Sequence, residues 1–516
     1  MGEKMMRKRI NDFSSNQQIK FGAILSYISI ALNIGAGVLY TPWMVRQIGQ
    51  SQYGLFTLAN SLISLFMVDF GLSAATSKFV SEYHVQKNEE KVNAFLGAIY
   101  KLYLIVDLVI LVALITVFFF IDAIYSNLTT VELQQFKVVY CIAALYSVIS
   151  FPFVTTNGIL TAYEKFIQQK LADVIYRILT ILLMVAALLN GYGLYALVTV
   201  NAIAGLTVII YKLVIIRKDT PIRVYFKNSA KGIYKEVFGF SLWTTIASVA
   251  QRLVFNITPT ILGMVSGSAE IAVFGIVTTI EGYAFTITNA INGMFMPKIS
   301  KIYSQEDSGN NLMNLMIKVG RFQYLLNGLL VVGFVSIGKE FVELWMGNDY
   351  VKAYYGIVMV LIPGLFYNSL QIAHTAMMVR NKVKPQAEVN IATGIVNVIL
   401  SYMLSSKYGM IGSCLSIFCA YMFRCIALVA LYGRQLEISM KHFVETCYLK
   451  YLPIIIGSIV LGMILNHLII IPGWLGLMIK AILVVCVYML FCFLICYSWS
   501  ERKMLLMRIV NTKRKR

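Results

Sequence analysis

LADVIYRILTILLMVAALLNGYGLYALVTVNAIAGLTVIIYKLVIIRK, residues 171–218, decides the fold. It holds two apolar runs, 171–190 and 193–216, parted only by Gly191 and Tyr192 and closed by Arg217-Lys218. A bilayer core of about 30 Å needs about 20 apolar helical residues. Each run is therefore long enough to cross. Read outward from this hairpin, the chain offers fourteen such runs. The others lie near 22–45, 54–77, 96–120, 136–160, 237–262, 270–296, 317–338, 354–378, 389–405, 409–432, 451–471 and 474–497.

Composition agrees. Of 516 residues, 59% are hydrophobic and 13% charged, with mean hydropathy +0.74. A soluble domain is about a quarter charged, so lipid is the solvent for most of this protein. The expected class is all-α and polytopic, and the length counts spans rather than domains. The first apolar run, from about Phe21, is too long for a signal peptide and has no small-residue cleavage site after it.

The loops test the count. Cytoplasmic loops carry the excess of Lys and Arg, and here every second loop is basic. The N-terminus has Lys4, Arg7, Lys8, Arg9 and Lys20, and the tail closes on Lys513-Arg514-Lys515-Arg516. Between them come Lys78, Lys87 and Lys91, then Lys165 and Lys170, then the segment from Lys212 to Lys235. The series continues through Lys298 to Arg321, Arg380 to Lys384, and Arg434 to Lys450. One side takes 34 of the 44 basic residues; the opposite loops hold only Arg46, Lys137, Lys339, Lys352 and Lys407. A missed or invented span would scramble this alternation downstream. Both termini are expected in the cytoplasm.

Net charge is +20, but it sits in short loops and termini without one aromatic-studded patch. Topology explains it better than nucleic acid does. Seven of the eight cysteines fall between Cys414 and Cys496, mostly within apolar runs, with no CxxC pair. They read as small buried hydrophobes. The histidines are scattered, and neither a metal nor a cofactor is expected. GFVSIGK at 333–339 begins like a phosphate loop, yet Glu340 stands where Ser or Thr is required and the stretch ends a span.

The chain also looks duplicated. IKFGAILSYIS (19–29), QYGLF (52–56) and TSKFVSEY (76–83) are echoed by VFGFSLWTTIA (237–247), VFGIV (273–277) and MPKISKIY (296–303). Both halves enter from the inside, which suggests a parallel six-plus-six repeat. The expected parts are a lobe over 1–216, a basic link over 217–236, a second lobe over 237–433, and two extra spans with a basic tail over 434–516. The link suits an amphipathic helix on anionic headgroups.

Ionisable groups inside a bilayer cost at least a few kcal/mol each and need a reason. The candidates are Asp69, Asp107, Arg252, Glu281, His374 and Arg424. Lys101, Arg177 and Lys480 lie near span ends and can snorkel to the interface. Arg252 is about 22 Å into its span at helical rise, on one face with Thr245, Ser248 and Asn256. Other stripes hold Thr278, Glu281, Thr288 and Asn292; Asn368, Gln371 and His374; Ser413, Ser416 and Arg424; and Ser26, Ser29, Asn33 and Gly37. Several helices with one polar stripe each argue for a shared wet cavity, although interhelical hydrogen bonding also favours small polar residues. Two arginines facing a cavity suit a phosphate or diphosphate. Glu281 serves equally as a counter-ion that locks Arg252 in place. Asp69 and Asp107 are candidates for a coupling proton, or for partners of Lys78 or Lys101. His374 reads as a hydrogen-bonded structural residue ahead of a proton carrier.

The stretch YTPWMVRQIGQSQYGLFTLANSLISLFMVDFGLSAATSKFVSEY, residues 40–83, resembles polysaccharide flippases of the O-antigen and capsule type. These belong to the multidrug/oligosaccharidyl-lipid/polysaccharide exporter superfamily. The matching pieces are Arg46, Gly49, Tyr53 and Gly54, then Asp69, Phe70, Gly71 and Leu72. The resemblance implies two six-helix lobes around a central, cation-lined cavity. It implies transfer of a polyprenyl-diphosphate-linked oligosaccharide from inner to outer leaflet of a bacterial cytoplasmic membrane by alternating access. A proton or sodium gradient would drive it, and polysaccharide polymerase machinery would be a partner. A drug or small-molecule efflux transporter of the same architecture is the runner-up. A membrane glycan polymerase or ligase would need a larger, reactive outer loop, and a scaffold would need no polar stripes.

Overall fold

The computed structural model describes residues 15–223, 233–289, 295–304 and 307–496, and every regular element among them is a helix. Residues 224–232 of the basic link, Asn292 and the basic tail lie outside the described residues. The chain divides into two compact units, residues 1–275 with 390–413, and residues 276–389 with 414–516.

The first unit opens with α1 (Ser15–Ile48), α2 (Gln50–Phe66), α3 (Leu72–Val85), α4 (Glu89–Ile124) and α5 (Thr130–Ser150). It continues with α6 (Thr155–Ala162), α7 (Phe166–Leu189), α8 (Leu194–Asp219), α9 (Ile233–Phe255) and α10 (Ile257–Val265). The start of α11 (Ser268–Asn289) belongs to it as well. Local signals set the helix starts. Asn88 accepts the Lys91 N–H ahead of α4, whose first turn carries Glu89 and Glu90 against the positive helix end. Thr129 and Glu132 form a capping box at α5. Along α4 the outward face is apolar: Ile105 is 62% exposed and Phe119 76%. Water would make that face a liability, and lipid makes it the expected one.

Within this unit α1 packs on α7, α7 on α8, α8 on α5, α5 on α2, and α3 on α6. Gly54 allows a further close approach, to the start of α11. A Cβ there would come 2.1 Å from the Ser268 carbonyl oxygen at the start of α11. Gly275 repeats the device, since its Cβ would meet Thr57 Oγ1 at 2.9 Å and the Tyr53 ring at 3.1 Å. Small residues at membrane helix crossings let backbones meet in this way.

The second unit is built on α13 (Ser308–Met346), after the short α12 (Met296–Ile302). Around it stand α14 (Ala353–Ser369), α15 (Gln371–Val379), the second half of α16 (Val383–Leu436), α17 (Met440–Val444), α18 (Leu452–Leu468) and α19 (Gly473–Cys496). Helices α14, α18 and α19 all pack on α13. Tyr324 on α13 lies 5.2 Å from the Tyr448 ring and 6.0 Å from Phe366, in the middle of the apolar core. Lys480 of α19 reaches Glu340 of α13 at 2.6 Å. The buried Lys480, which the sequence offered as an interfacial anchor, thus pairs with a half-buried glutamate.

Among the described residues, ten helices are long and apolar enough to cross a membrane, or eleven when the pair α14–α15, bent by 46°, counts as one. The fourteen runs read from sequence exceed that number where spans are broken or joined. The run 54–77 is broken between α2 and α3, where Phe70 (φ 52°) and Gly71 (φ 65°) turn left-handed. The run 237–262 is broken at Asn256, because Pro259 lacks an N–H and crowds the carbonyl of Phe255. The 54 residues of α16 form two helices that double back on one another at Gly409 (φ 56°, ψ −135°). Ser405 and Ser413, on either side, hydrogen-bond at 2.6 Å. A straight helix would hold them about 12 Å apart.

Candidate functional site

Breaking α2 from α3 frees backbone carbonyls at the end of α2, where no next turn can satisfy them. Two are taken by one side chain. Arg252 of α9 donates through Nη2 to the Met67 carbonyl at 2.9 Å and through Nη1 to the Ser64 carbonyl. Asp69 lies inside the break. Its carboxylate accepts the Ser73 N–H at 3.3 Å, at the start of α3, and the Tyr103 hydroxyl at 2.6 Å. Arg252 also acts on Asp69 through its charge. The buried Tyr103 ring is seated edge-on against Phe151 at 5.2 Å. Sequence reading singled out both Arg252 and Asp69; the structure brings them together in one cluster.

The other first-unit candidates fall around this cluster without joining it. Ser248 is exposed on α9, and Asn256 is half-buried at the α9–α10 break. Asn33 presents its backbone carbonyl to Arg177 Nη2 at 3.2 Å. Arg177, expected as an interfacial anchor, thus ties α7 to α1. Asp107 is buried on α4, with one carboxylate oxygen lacking a hydrogen-bond partner among the described residues.

The motif residues do structural work that the geometry makes plain. Arg46 sits exposed in the last turn of α1, where a cation suits the negative helix end. Gly49 (φ 85°) makes the turn into α2, and its carbonyl accepts the Tyr53 N–H at 3.2 Å. Tyr53 and Gly54 form the crossing with α11 described above, and Gly71 starts α3. At the same end of the first unit, Glu132 accepts the Ser51 hydroxyl at 2.5 Å and the Ser268 hydroxyl. One carboxylate therefore fastens α2, α5 and α11 together. Sequence reading did not single it out, because Glu132 falls between the apolar runs 96–120 and 136–160 and its partners are 81 and 136 residues away.

In the second unit Arg424 is 3% exposed on α16. Its guanidinium lies 4.3 Å from the Tyr367 ring centroid and 5.4 Å from that of Tyr421, and Nη2 reaches Tyr367 Oη at 2.9 Å. Stacking of this kind suits the flat, weakly hydrated guanidinium. Arg424 also acts electrostatically on His374, whose Nδ1 is hydrogen-bonded to the Gln386 side chain. His374 and the buried Gln371 lie on α15, just past the bend at Leu370. On the neighbouring face, Asn327 Oδ1 accepts from Thr288 Oγ1 at 3.1 Å and from Asn368 Nδ2 at 3.2 Å. Glu281 is half-buried on α11 and makes no hydrogen bond among the described residues.

Each unit thus carries an intramembrane arginine, one fixed by carbonyls at a broken helix and one stacked between tyrosines. Long apolar helices with lipid-ready outer faces define a polytopic membrane protein, and its ionisable residues beside helix breaks are candidate functional groups. The chain belongs to the polysaccharide biosynthesis protein family, whose profile matches residues 20–303. The membrane protein EpsK of Bacillus subtilis (strain 168) is 22% identical over 516 residues, covering 96% of this chain and 98% of EpsK. A Shigella flexneri protein named as an O-antigen transporter is 24% identical over 186 residues, 36% of this chain and 43% of its own. Among solved structures, the lipid II flippase MurJ superposes with TM-score 0.69 at 16% identity, over 92% of this chain and 98% of MurJ. An inward-facing multidrug transporter of the MATE family gives TM-score 0.67 at 12% identity, over 81% and 99%. These likenesses establish a multi-pass membrane protein with the fold of these two solved structures, and a bacterial cytoplasmic membrane fits it.

Proposed function

We propose that this protein is a flippase that carries a polyprenyl-diphosphate-linked oligosaccharide from the inner to the outer leaflet by alternating access. Arg252 and Arg424 would meet the diphosphate in a cationic cavity. Asn33, Ser248, Asn256 and Gln371 would contact the glycan, and Asp69, Asp107, Glu281 and His374 would supply counter-charge or carry a coupling proton or sodium. The proposal takes fourteen passes with both ends in the cytoplasm, in two six-helix lobes with a terminal pair, and no enzymatic step. It expects polysaccharide polymerase machinery as a partner.

The observation that carries it is the Arg252–Asp69 cluster at the α2–α3 break, inside the stretch the family profile matches. Broken helices with exposed half-helix ends are where membrane transporters bind charged substrates. Two of the five Arg252 donors cap carbonyls, and a diphosphate can take others. The relatives' names point to polysaccharide and O-antigen export, and MurJ is a flippase for another lipid. The MATE likeness keeps drug efflux as the second reading, on fold alone.

The test is mass spectrometry of polyprenyl-linked lipids in cells lacking the gene and its paralogues. Accumulation of one lipid-diphosphate oligosaccharide, cleared by the wild-type gene but not by Arg252→Ala, is the expected result. An unchanged lipid pool would refute the flippase reading and favour efflux.

A further inference from the structure

The basic end of α8 carries a groove that the cluster at Arg252 does not use. Its volume is about 630 Å³, and Arg217, Lys218 and Arg223 stand on its rim. Below them the walls are apolar: Ile210, Leu213 and Val214 run down α8, with Tyr100 and Ile159 alongside. From Arg217 to Ile210 the groove follows α8 for about 10 Å at helical rise. Ile210 is 61% exposed at the far end, so the slot opens sideways to lipid.

The rim is built rather than incidental. Arg223 N–H donates to Asn93 Oδ1 at 2.6 Å, and Thr220 Oγ1 donates to the Ile216 carbonyl at 2.6 Å. These bonds pin the turn after α8 against α4. The side chain of Ile222 is buried beneath it. Lys212, one turn earlier, is spoken for by Asn157 at 2.9 Å and Asp173 at 3.9 Å. Arg217 and Lys218 are exposed and make no ion pair or hydrogen bond among the described residues. Asp219 is the one acid in this turn and does not line the groove.

We propose that this groove binds a polyprenyl diphosphate, with the diphosphate on the three cations and the first isoprene units along Ile210, Leu213 and Val214. It would be a docking site on the lipid side of the first unit, separate from the cluster at Arg252. The identity of the occupant rests on the flippase reading. An apolar slot capped by cations selects an amphiphilic anion over a free phosphate or an uncharged chain. A diphosphate brings twice the charge of a phosphodiester, so three cations suit it better than an ordinary phospholipid.

The experiment is calorimetric titration of the full chain in detergent with farnesyl diphosphate, compared with farnesol, inorganic pyrophosphate and phosphatidylglycerol. Farnesyl diphosphate is expected to bind saturably, and each of the other three more weakly by about tenfold or more, as losing one half of the recognition dictates. The triple variant R217Q/K218Q/R223Q should weaken binding by about tenfold or more, as lost charge-assisted contacts do. Leu213→Trp fills the slot with every charge kept, and should weaken it too. The triple variant K298Q/K301Q/K318Q removes equal charge from a separate lysine-lined cavity of about 390 Å³, and should leave binding unchanged. Size-exclusion profiles identify any variant that has not folded.

Equal binding by pyrophosphate, farnesol or phosphatidylglycerol would overturn the proposal, as would a loss shared by the K298Q/K301Q/K318Q variant. So would no binding of farnesyl diphosphate, or binding unaffected in both groove variants. Failure here leaves lipid accumulation in cells intact as evidence for the flippase. An unchanged lipid pool beside groove-dependent binding would sink the flippase reading alone.

Discussion

A guanidinium that holds two carbonyls of a broken helix cannot be removed without leaving them unpaired. That is the position of Arg252 at Ser64 and Met67. Arg252→Ala should therefore lower stability by about 1–3 kcal/mol, the penalty for an unsatisfied half-buried acceptor, as well as stopping export. Arg252→Lys separates the two effects. It keeps the charge and loses the fork, so the thermal midpoint should fall while lipid export stays measurable. Export lost to the same degree as in the alanine variant would tie function to the fork, and wild-type export in Arg252→Ala would take the residue off the transport path. Arg424 answers to a different test. Arg424→Lys gives up the stacking on Tyr367 and Tyr421, worth about 1–2 kcal/mol in a dry site. A purely structural Arg424 would lose export only in proportion to that stability, measured by detergent melts beside lipid accumulation. Both arginines were legible in the sequence, because a cation deep in an apolar run needs a reason. Their partners were not. The Ser64 carbonyl reaches Arg252 across 188 residues of chain, and Tyr367 reaches Arg424 across 57. No local spacing encodes that.

At the scale of elements, the breaks matter more than the stripes. Pro152 and Pro259 announce two of them, the 3₁₀ turn after α5 and the end of α9 at Phe255. The break at Asp69-Phe70-Gly71 has no proline, so hydropathy runs straight through it. Phe70 at φ 52° is held there by its surroundings, since a bulky side chain rarely adopts that conformation alone. The repeated Gly landmarks were visible as sequence, and the structure supplies their use. Gly54→Ala should be disruptive, because the new Cβ would sit 2.1 Å from the rigid Ser268 carbonyl. Overpacking of this kind costs about 1–3 kcal/mol or forces α2 and α11 apart. A methyl group added at Gly35 would meet nothing within 4 Å, so Gly35→Ala should melt like wild type. Equal melting of the two variants in detergent would mean that the crossing yields easily and that Gly54 is not a packing constraint. Glu132→Gln tests the neighbouring clasp. It keeps one acceptor but loses the charge that strengthens the bonds from Ser51 and Ser268, and should cost about 1 kcal/mol.

Across the whole molecule, loop charge was the most readable signal, because the excess of Lys and Arg acts on whole connections and tolerates errors in each boundary. What it could not reveal is how distant segments join. Residues 390–413 pack in the first unit, where the Asn397 amide donates to the Leu253 and Val254 carbonyls at 3.1 and 3.0 Å. The hairpin at Gly409 is the sharpest point for a topology test, since the 54 residues of α16 are too long for one crossing and the backbone at Gly409 is non-helical. Fourteen passes put Lys137, Lys352 and Lys407 outside, with Lys87, Arg217 and Arg380 inside. Single cysteines at these positions, in a chain whose eight native cysteines are replaced, should report it through a membrane-impermeant maleimide. The first three should label in intact cells, and the others only after permeabilisation. Labelling at Lys352 but not at Lys407 would mean that α16 fails to reach the outer face at its hairpin, which leaves twelve passes. A reversal of every position after Arg217 would instead place the error in the broken run that follows it, at α9–α10.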